Sequence, residues 1–294
     1  MDYLGSKMLP ISIALGGLVT GAIKSGLAFE SSFAGITKTI NMSAFETQQL
    51  RGKMIELSKT IPVSVNELNK IGELGGQLGI GSKDIVTFTD TIAKLGVATN
   101  LTTEEGSLML AQFMNVMKLD DSQIATLGST IVELGNNFAT TEKDITSMAG
   151  RLSATTSVMG ISAADTLGFA TAMSSLGISA EEGGSALGRV LIKFNDYASQ
   201  GGKAAAKLGK VAGMTGEAFS KMWKEDKTKA MQKLIQGLGE MSEKGQDILP
   251  IMEELGIKNT RDRTTVLKLA SGYRTLNSAL KSSNAEWGST VALS

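Results

Sequence analysis

The side chains in this sequence with the most evident chemical potential are two carboxylate pairs, Glu104-Glu105 and Glu181-Glu182, and a lysine series, Lys203, Lys207 and Lys210. Two carboxylates flanking a bond suffice for glycoside hydrolysis, which needs no histidine. A serine beside a lysine is another nucleophilic pairing, but both residues are abundant here and no spacing singles out one pair. The lysines share one helical face and would suit phosphate if aromatic residues stood near them to stack bases. None does, so they form a solvated edge, and no specific nucleic-acid site is assigned. Each carboxylate pair closely follows a threonine or serine, Thr102 or Ser179. That is the pattern of a helix start, where the positive end of the helix dipole stabilises acidic side chains. No further reactive group converges on either pair, so no catalytic, cofactor-binding or metal-ligating residue is assigned and the chain is read as a non-enzyme.

Composition narrows the chemistry further. The chain has no cysteine and no histidine, which removes disulfides, thiolate nucleophiles, imidazole bases and the commonest zinc ligands together. Lysine plus arginine and aspartate plus glutamate both total 29, so no net field recruits nucleic acid or an anionic membrane. With 42% hydrophobic residues in 294, there is enough apolar surface for one large domain or two ordinary ones. The absence of cysteine fits assembly in the cytoplasm.

The elements that would position these residues are helices. Proline occurs only at positions 10, 62 and 250, and apolar residues recur at three- and four-residue spacing. Between Ile85 and Leu95, for example, Ile85, Phe88, Ile92 and Leu95 share a face that Asp84, Thr87, Asp90 and Lys94 avoid. A recurring device punctuates the chain: leucine or methionine, then glycine, then an aliphatic residue, then a serine or threonine followed by acidic residues. Gly160 is expected to cap one helix, Ile161 to fold back on it, and Ser162 with Asp165 to start the next. Leu176-Gly177-Ile178-Ser179 repeats the device, and Ser64 with Glu67, Thr102 with Glu105, and Thr141 with Asp144 mark further starts. Phe113, Met114, Met117 and Phe138 are expected in the core.

An internal repeat underlies the punctuation. Gly79-Ile80, Phe88, Leu95-Gly96-Val97 and Phe113 recur 81 residues later as Gly160-Ile161, Phe169, Leu176-Gly177-Ile178 and Phe194. Glu104-Glu105-Gly106 returns after 77 residues, so the second copy is expected to exchange four loop residues for about one helical turn. The expected fold is an all-α multi-helix array built on a duplicated helix-turn-helix unit of about 80 residues, with a C-terminal helical layer. Three regions are expected: an apolar arm over 1–42, the duplicated core over 43–199, and a C-terminal helical region over 200–294, opening with the small-residue stretch after Tyr197. Within the arm, Ile11 to Phe29 is the most apolar stretch, but Lys24 and four glycines make it a poor membrane span. It is read as a buried or self-associating helix, with membrane contact through 11–29 as the alternative.

Several separated motifs resemble the core region of phage tail tape measure proteins. These are Phe29-Glu30-Ser31-Ser32-Phe33, the block LSKTIPVSVNELNKIGELGGQLGI from Leu57, and GISAADTLGFATAMSSLGISAEEGGSALGRVL from Gly160. Ala212 to Phe219, Leu255-Gly256-Ile257 and the charged stretch Arg261 to Arg263 complete the set. The resemblance implies a structural protein of the virion that occupies the phage tail lumen, is made in the host cytoplasm, helps initiate tail assembly, determines tail length and assists genome ejection. It implies as partners the tail tube protein, tail tip or baseplate proteins, tail assembly chaperones and further copies of the chain. In that family the length-setting polymer is usually longer, so the sequence is expected to be a fragment or a short member. The alternatives are a membrane-active helical protein acting at infection and a peptidoglycan-cleaving module.

Overall fold

Serine, threonine and aspartate side chains set the helix starts. In a computed structural model, which describes residues 26–289, Ser43 accepts from the Glu46 backbone N–H while the Glu46 carboxylate accepts from the Ser43 backbone, a reciprocal cap. Thr102 and Glu105 make the same pair. Ser64, Thr141, Ser162 and Ser179 each accept from the backbone N–H three residues on, as expected from the sequence. At the other ends, Gly160 adopts φ +71°, the left-handed conformation that a Cβ disfavours, and the Ile161 N–H donates to the Thr156 carbonyl at 2.9 Å. Ile80, Ile178 and Ile257 donate five residues back in the same way, and all four isoleucines are buried. The device therefore does at each turn what its residue types require.

The chain is an all-α array, with no strand among the described residues. Packing divides it into two units, Met1–Ala93 and Lys94–Ser294. The first contains α1 (26–39), α2 (Ala44–Thr60), α3 (Val65–Gln77) and the start of α4 (Ile85–Ala98). Its core is Phe33, Ile36, Met54, Leu68, Ile71 and Phe88. Gly72 and Gly75 let helices close on α3: a Cβ there would lie 2.9 Å from Ile36 and 2.7 Å from Phe88. Of the apolar stretch Ile11 to Phe29, only 26–29 fall among the described residues, and these are helical.

The second unit comprises the end of α4, then α5 (Thr103–Met117), a 3₁₀ turn (Asp121–Gln123), α6 (Ile124–Asn137), α7 (Glu142–Met159), α8 (Ala163–Ser175) and α9 (Ala180–Gln200). It continues through α10 (Gly202–Val211), α11 (Gly216–Glu225), α12 (Lys227–Glu243), α13 (Leu249–Glu254), α14 (Thr260–Ser271) and α15 (Tyr273–Ser289). Ten of the thirteen residues of α8 are buried, so this helix has no solvent face and acts as a hub. It lies against α7 and α15, and a Cβ at Gly168 would meet the Leu280 backbone at 2.8 Å. Buried threonines here are satisfied within their own helices: Thr156, Thr166 and Thr171 donate to carbonyls four residues back. α9 packs on α7 and carries α10, α11 and α14, so the residues after 200 share one unit with α5–α9.

The succession α3–α4–α5 returns as α7–α8–α9, with a different place for the offset. The connection before α4 spans 78–84 and that before α8 only 160–162, so the four residues are lost ahead of the middle helix. From there α4 and α5 run 77 or 78 residues ahead of α8 and α9 at their starts. Gly96 accordingly stays inside α4, unlike the left-handed Gly177, and Val97 is 52% exposed whereas Ile178 is buried. Leu101, 3% exposed, occupies the turn that Ile178 fills in the second copy. Phe113 and Met114 are buried as expected, but Met117 ends α5 and Phe138 follows α6, and both are only half-buried.

Candidate assembly surfaces

The carboxylate pairs are committed to helix starts. Glu105 accepts from the Lys143 ammonium at 2.8 Å and from Thr102, and these contacts hold its carboxyl below the usual range. A general acid needs the opposite shift. Glu181 lies 3.9 Å from Arg151, and the Glu182 backbone N–H is capped by Ser179. No group of three or more aspartates or glutamates among the described residues could hold a metal ion.

The motifs that carry the resemblance are packing devices. In the first unit, Arg51 reaches from α2 to grip Glu30 with two nitrogens and lies 5.3 and 5.2 Å above the rings of Phe29 and Phe33, which stack at 5.7 Å. Ser32 accepts from Asn69 at 3.0 Å and donates to Asn66 at 3.1 Å, tying α1 to α3. In the second unit, Asp165, expected only as part of a helix start, also accepts from Thr228 on α12 and Asn284 on α15. Arg189 on α9 and Asp262 on α14, from two separately noted motifs, meet in a forked pair; the Asp262 side chain is only 11% exposed. Phe219 stacks on Trp223 at 5.9 Å, and the Trp223 ring N–H donates to Asn195. Apart from the i,i+4 ring pairs Phe29–Phe33 and Phe219–Trp223, these partners lie far apart in sequence, and local spacing gave no sign of them.

The second unit also carries several concave surfaces. A groove of about 530 Å³ runs between α5 and α7 over Met109, Phe113, Thr146 and Arg151, and the exposed apolar residues Leu108, Val116 and Val158 belong to these two helices. A cleft of about 260 Å³ lies between α10, the end of α12 and α13, with Lys203, Lys207 and Lys210 along one side. The lysine edge is thus exposed, as expected, but it borders an apolar floor of Val211, Met241, Ile251 and Leu255. Among the described residues no helix is long and apolar enough to cross a membrane.

These surfaces belong to a chain whose residues 51–255 match the family of phage-related minor tail proteins. It is also similar to a probable tape measure protein of Halomonas phage phiHAP-1 (isolate from the Gulf of Mexico, 2001), 22% identical over 201 residues. That alignment covers 64% of this chain and 23% of the relative, so the chain spans about a quarter of that protein's length. No solved structure matches.

Proposed function

The chain belongs to the phage-related minor tail protein family, and from that premise we propose that it is the folded core of a tail tape measure protein. The phage tail structural role follows from the family. In this reading the core sits in the tail lumen, contacts tail tube, tip or baseplate proteins, assembly chaperones and its own copies, and is made in the host cytoplasm. It helps start tail assembly and set tail length, and it assists genome delivery. The observation that carries the reading is the family match across 51–255, which takes in the motif block from Leu57 in the first unit and that from Gly160 in the second.

The helix dimensions support a particular part for this core in length setting. The longest described helix, α9, has 21 residues and advances about 30 Å at 1.5 Å per residue. Helices of this size, folded against one another, make an anchor more readily than a ruler. The core therefore gathers copies or seats them at one end of the tail, and its work is done by helix surfaces without chemistry at a pocket.

Deleting residues 51–255 in frame from the encoding phage genome, with and without the intact gene supplied from a plasmid, tests this. Electron microscopy of the lysates should show tailless heads or tubes of unregulated length, corrected by the plasmid copy. Tails of normal length and number from the deletion alone would sink the reading.

A further inference from the structure

The cleft beside α10 combines two features that rarely serve one purpose on a solvated face. Lys203, Lys207 and Lys210 are exposed and stand at positions i, i+4 and i+7, so their stems leave one side of the helix over a rise of about 10 Å. Lys207 is fixed by donating to the Glu254 carbonyl at 3.3 Å, at the C-terminal end of α13. Lys203 and Lys210 have no ion-pair partner among the described residues. Between them and α13 the surface falls to an apolar floor, where Val211 and Leu255 are buried and Met241 and Ile251 are half-buried.

We propose that this cleft docks an acidic segment of a partner protein, seating one apolar side chain on the floor while carboxylates along the segment meet Lys203, Lys207 and Lys210. The charge pattern selects the occupant. Three ammonium groups spread over about 10 Å are too dispersed for one phosphate and match carboxylates placed one helical turn apart. The cleft, at about 260 Å³, falls below the roughly 300–1,000 Å³ of pockets that enclose small ligands, so it suits an anchor side chain. A nucleic acid would leave the floor without a partner, because no aromatic residue lines the cleft for base stacking. A bilayer meets protruding apolar side chains, whereas these are recessed. Apolar anchoring inside a charged rim is the usual division of labour at a protein interface, with the rim setting register and on-rate. This inference stands on the cleft alone and does not depend on the tape measure reading.

The test uses the full chain and a labelled helical peptide carrying glutamates at i, i+4 and i+7 beside a central leucine, followed by fluorescence anisotropy. Binding to the unaltered chain is expected, weakening with salt, at least tenfold weaker for K203E/K210E, and restored to that variant by a peptide with lysines in place of the glutamates. Replacing the peptide's leucine by alanine should also weaken binding several-fold, as should Ile251→Gln. Circular dichroism melts of both variants verify folding, which exposed Lys203 and Lys210 make safe to expect. No binding by the unaltered chain, or equal binding by the reversed chain, overturns the proposal. So does indifference to the leucine combined with equal competition by duplex DNA or anionic vesicles, which would mark a generic anion surface. A concentration-dependent rise in mass of the chain alone, abolished by K203E/K210E, would replace the foreign segment by a second copy.

Discussion

A helix junction in the first unit and one in the second are held by different means. In the first, α1 and α2 are joined at the surface by the Arg51 fork on Glu30 and by its guanidinium lying over Phe29 and Phe33. In the second, α8 and α15 meet almost backbone to backbone, because Gly168 has no Cβ to hold Leu280 away. A clasp of charge and aromatic faces is screened by water and salt and can open locally. A seam made of removed side chains cannot be replaced by any other contact, because its energy lies in close packing. Stability is therefore expected to be concentrated at the seam and adjustability at the clasp.

The largest effect expected is at the seam. Gly168→Ala places a methyl 2.8 Å from a backbone atom that has no rotamer to escape through, and should cost about 1–3 kcal/mol as overpacking does. The better helix propensity of alanine returns about 1 kcal/mol at most, so a net loss of up to about 2 kcal/mol is expected. Gly150→Ala, on α7 with nothing within 4 Å of the added methyl, has only the propensity term and should stabilise. Urea midpoints of the two variants shifting in the same direction would break the contrast. Next comes Asp165→Ala, which takes the acceptor of buried Thr228 and one of the two acceptors of exposed Asn284, and should cost about 0.5–1.5 kcal/mol. Thr228→Val in that background should add little if the two share one interaction. Smaller again is Arg51→Met, which removes the fork and the ring contacts but leaves the buried side chains Phe33 of α1 and Met54 of α2 in place. Its loss should be less than half that of Gly168→Ala, and should shrink further in high salt.

The same contrast explains what was legible in the sequence. Caps are local: Ser162 and Asp165, or Gly160 and Ile161, are close enough along the chain that residue type and spacing state the geometry. The burial of Ile85, Phe88, Ile92 and Leu95 followed from a 3.6-residue period. α8 has almost no such period, because it is buried all round, and its role as hub could not be read from a face it lacks. Arg189 and Asp262 are 73 residues apart, and Asp165 and Asn284 are 119 apart, distances at which no pattern in one sequence pairs residues. The lysine edge was visible, but its floor was not, since Met241, Ile251 and Leu255 come from other helices. Leu-Gly-aliphatic at Leu95 misled for a different reason. The letters allow a turn, but a longer connection ahead of α4 moves the helix along the sequence and Leu101 takes the turn.

Acid offers the finest separation of clasp from seam. The Arg51 guanidinium holds the Glu30 carboxyl below its ordinary value of 4.5, and hydrogen bonds from Ser43 do the same for Glu46 at the start of α2. Carboxyls depressed on folding contribute stability that is complete above the unfolded value and is lost as pH falls through the lower folded values. The α1–α2 clasp should thus weaken below about pH 4.5, while at the α8–α15 junction the close approach of Gly168 to Leu280 contains no titrating group, only the Asp165–Asn284 bond beside it does, and the response should be smaller. Hydrogen exchange followed from neutral pH downward, corrected for the intrinsic rate, should show α1 and α2 losing protection before α8 and α15. In the E30Q/E46Q variant that early loss should shrink, because neither side chain then titrates. Simultaneous loss across α1, α2, α8 and α15 in both proteins would mean that the clasp is no weaker than the seam, and that the two units open as one.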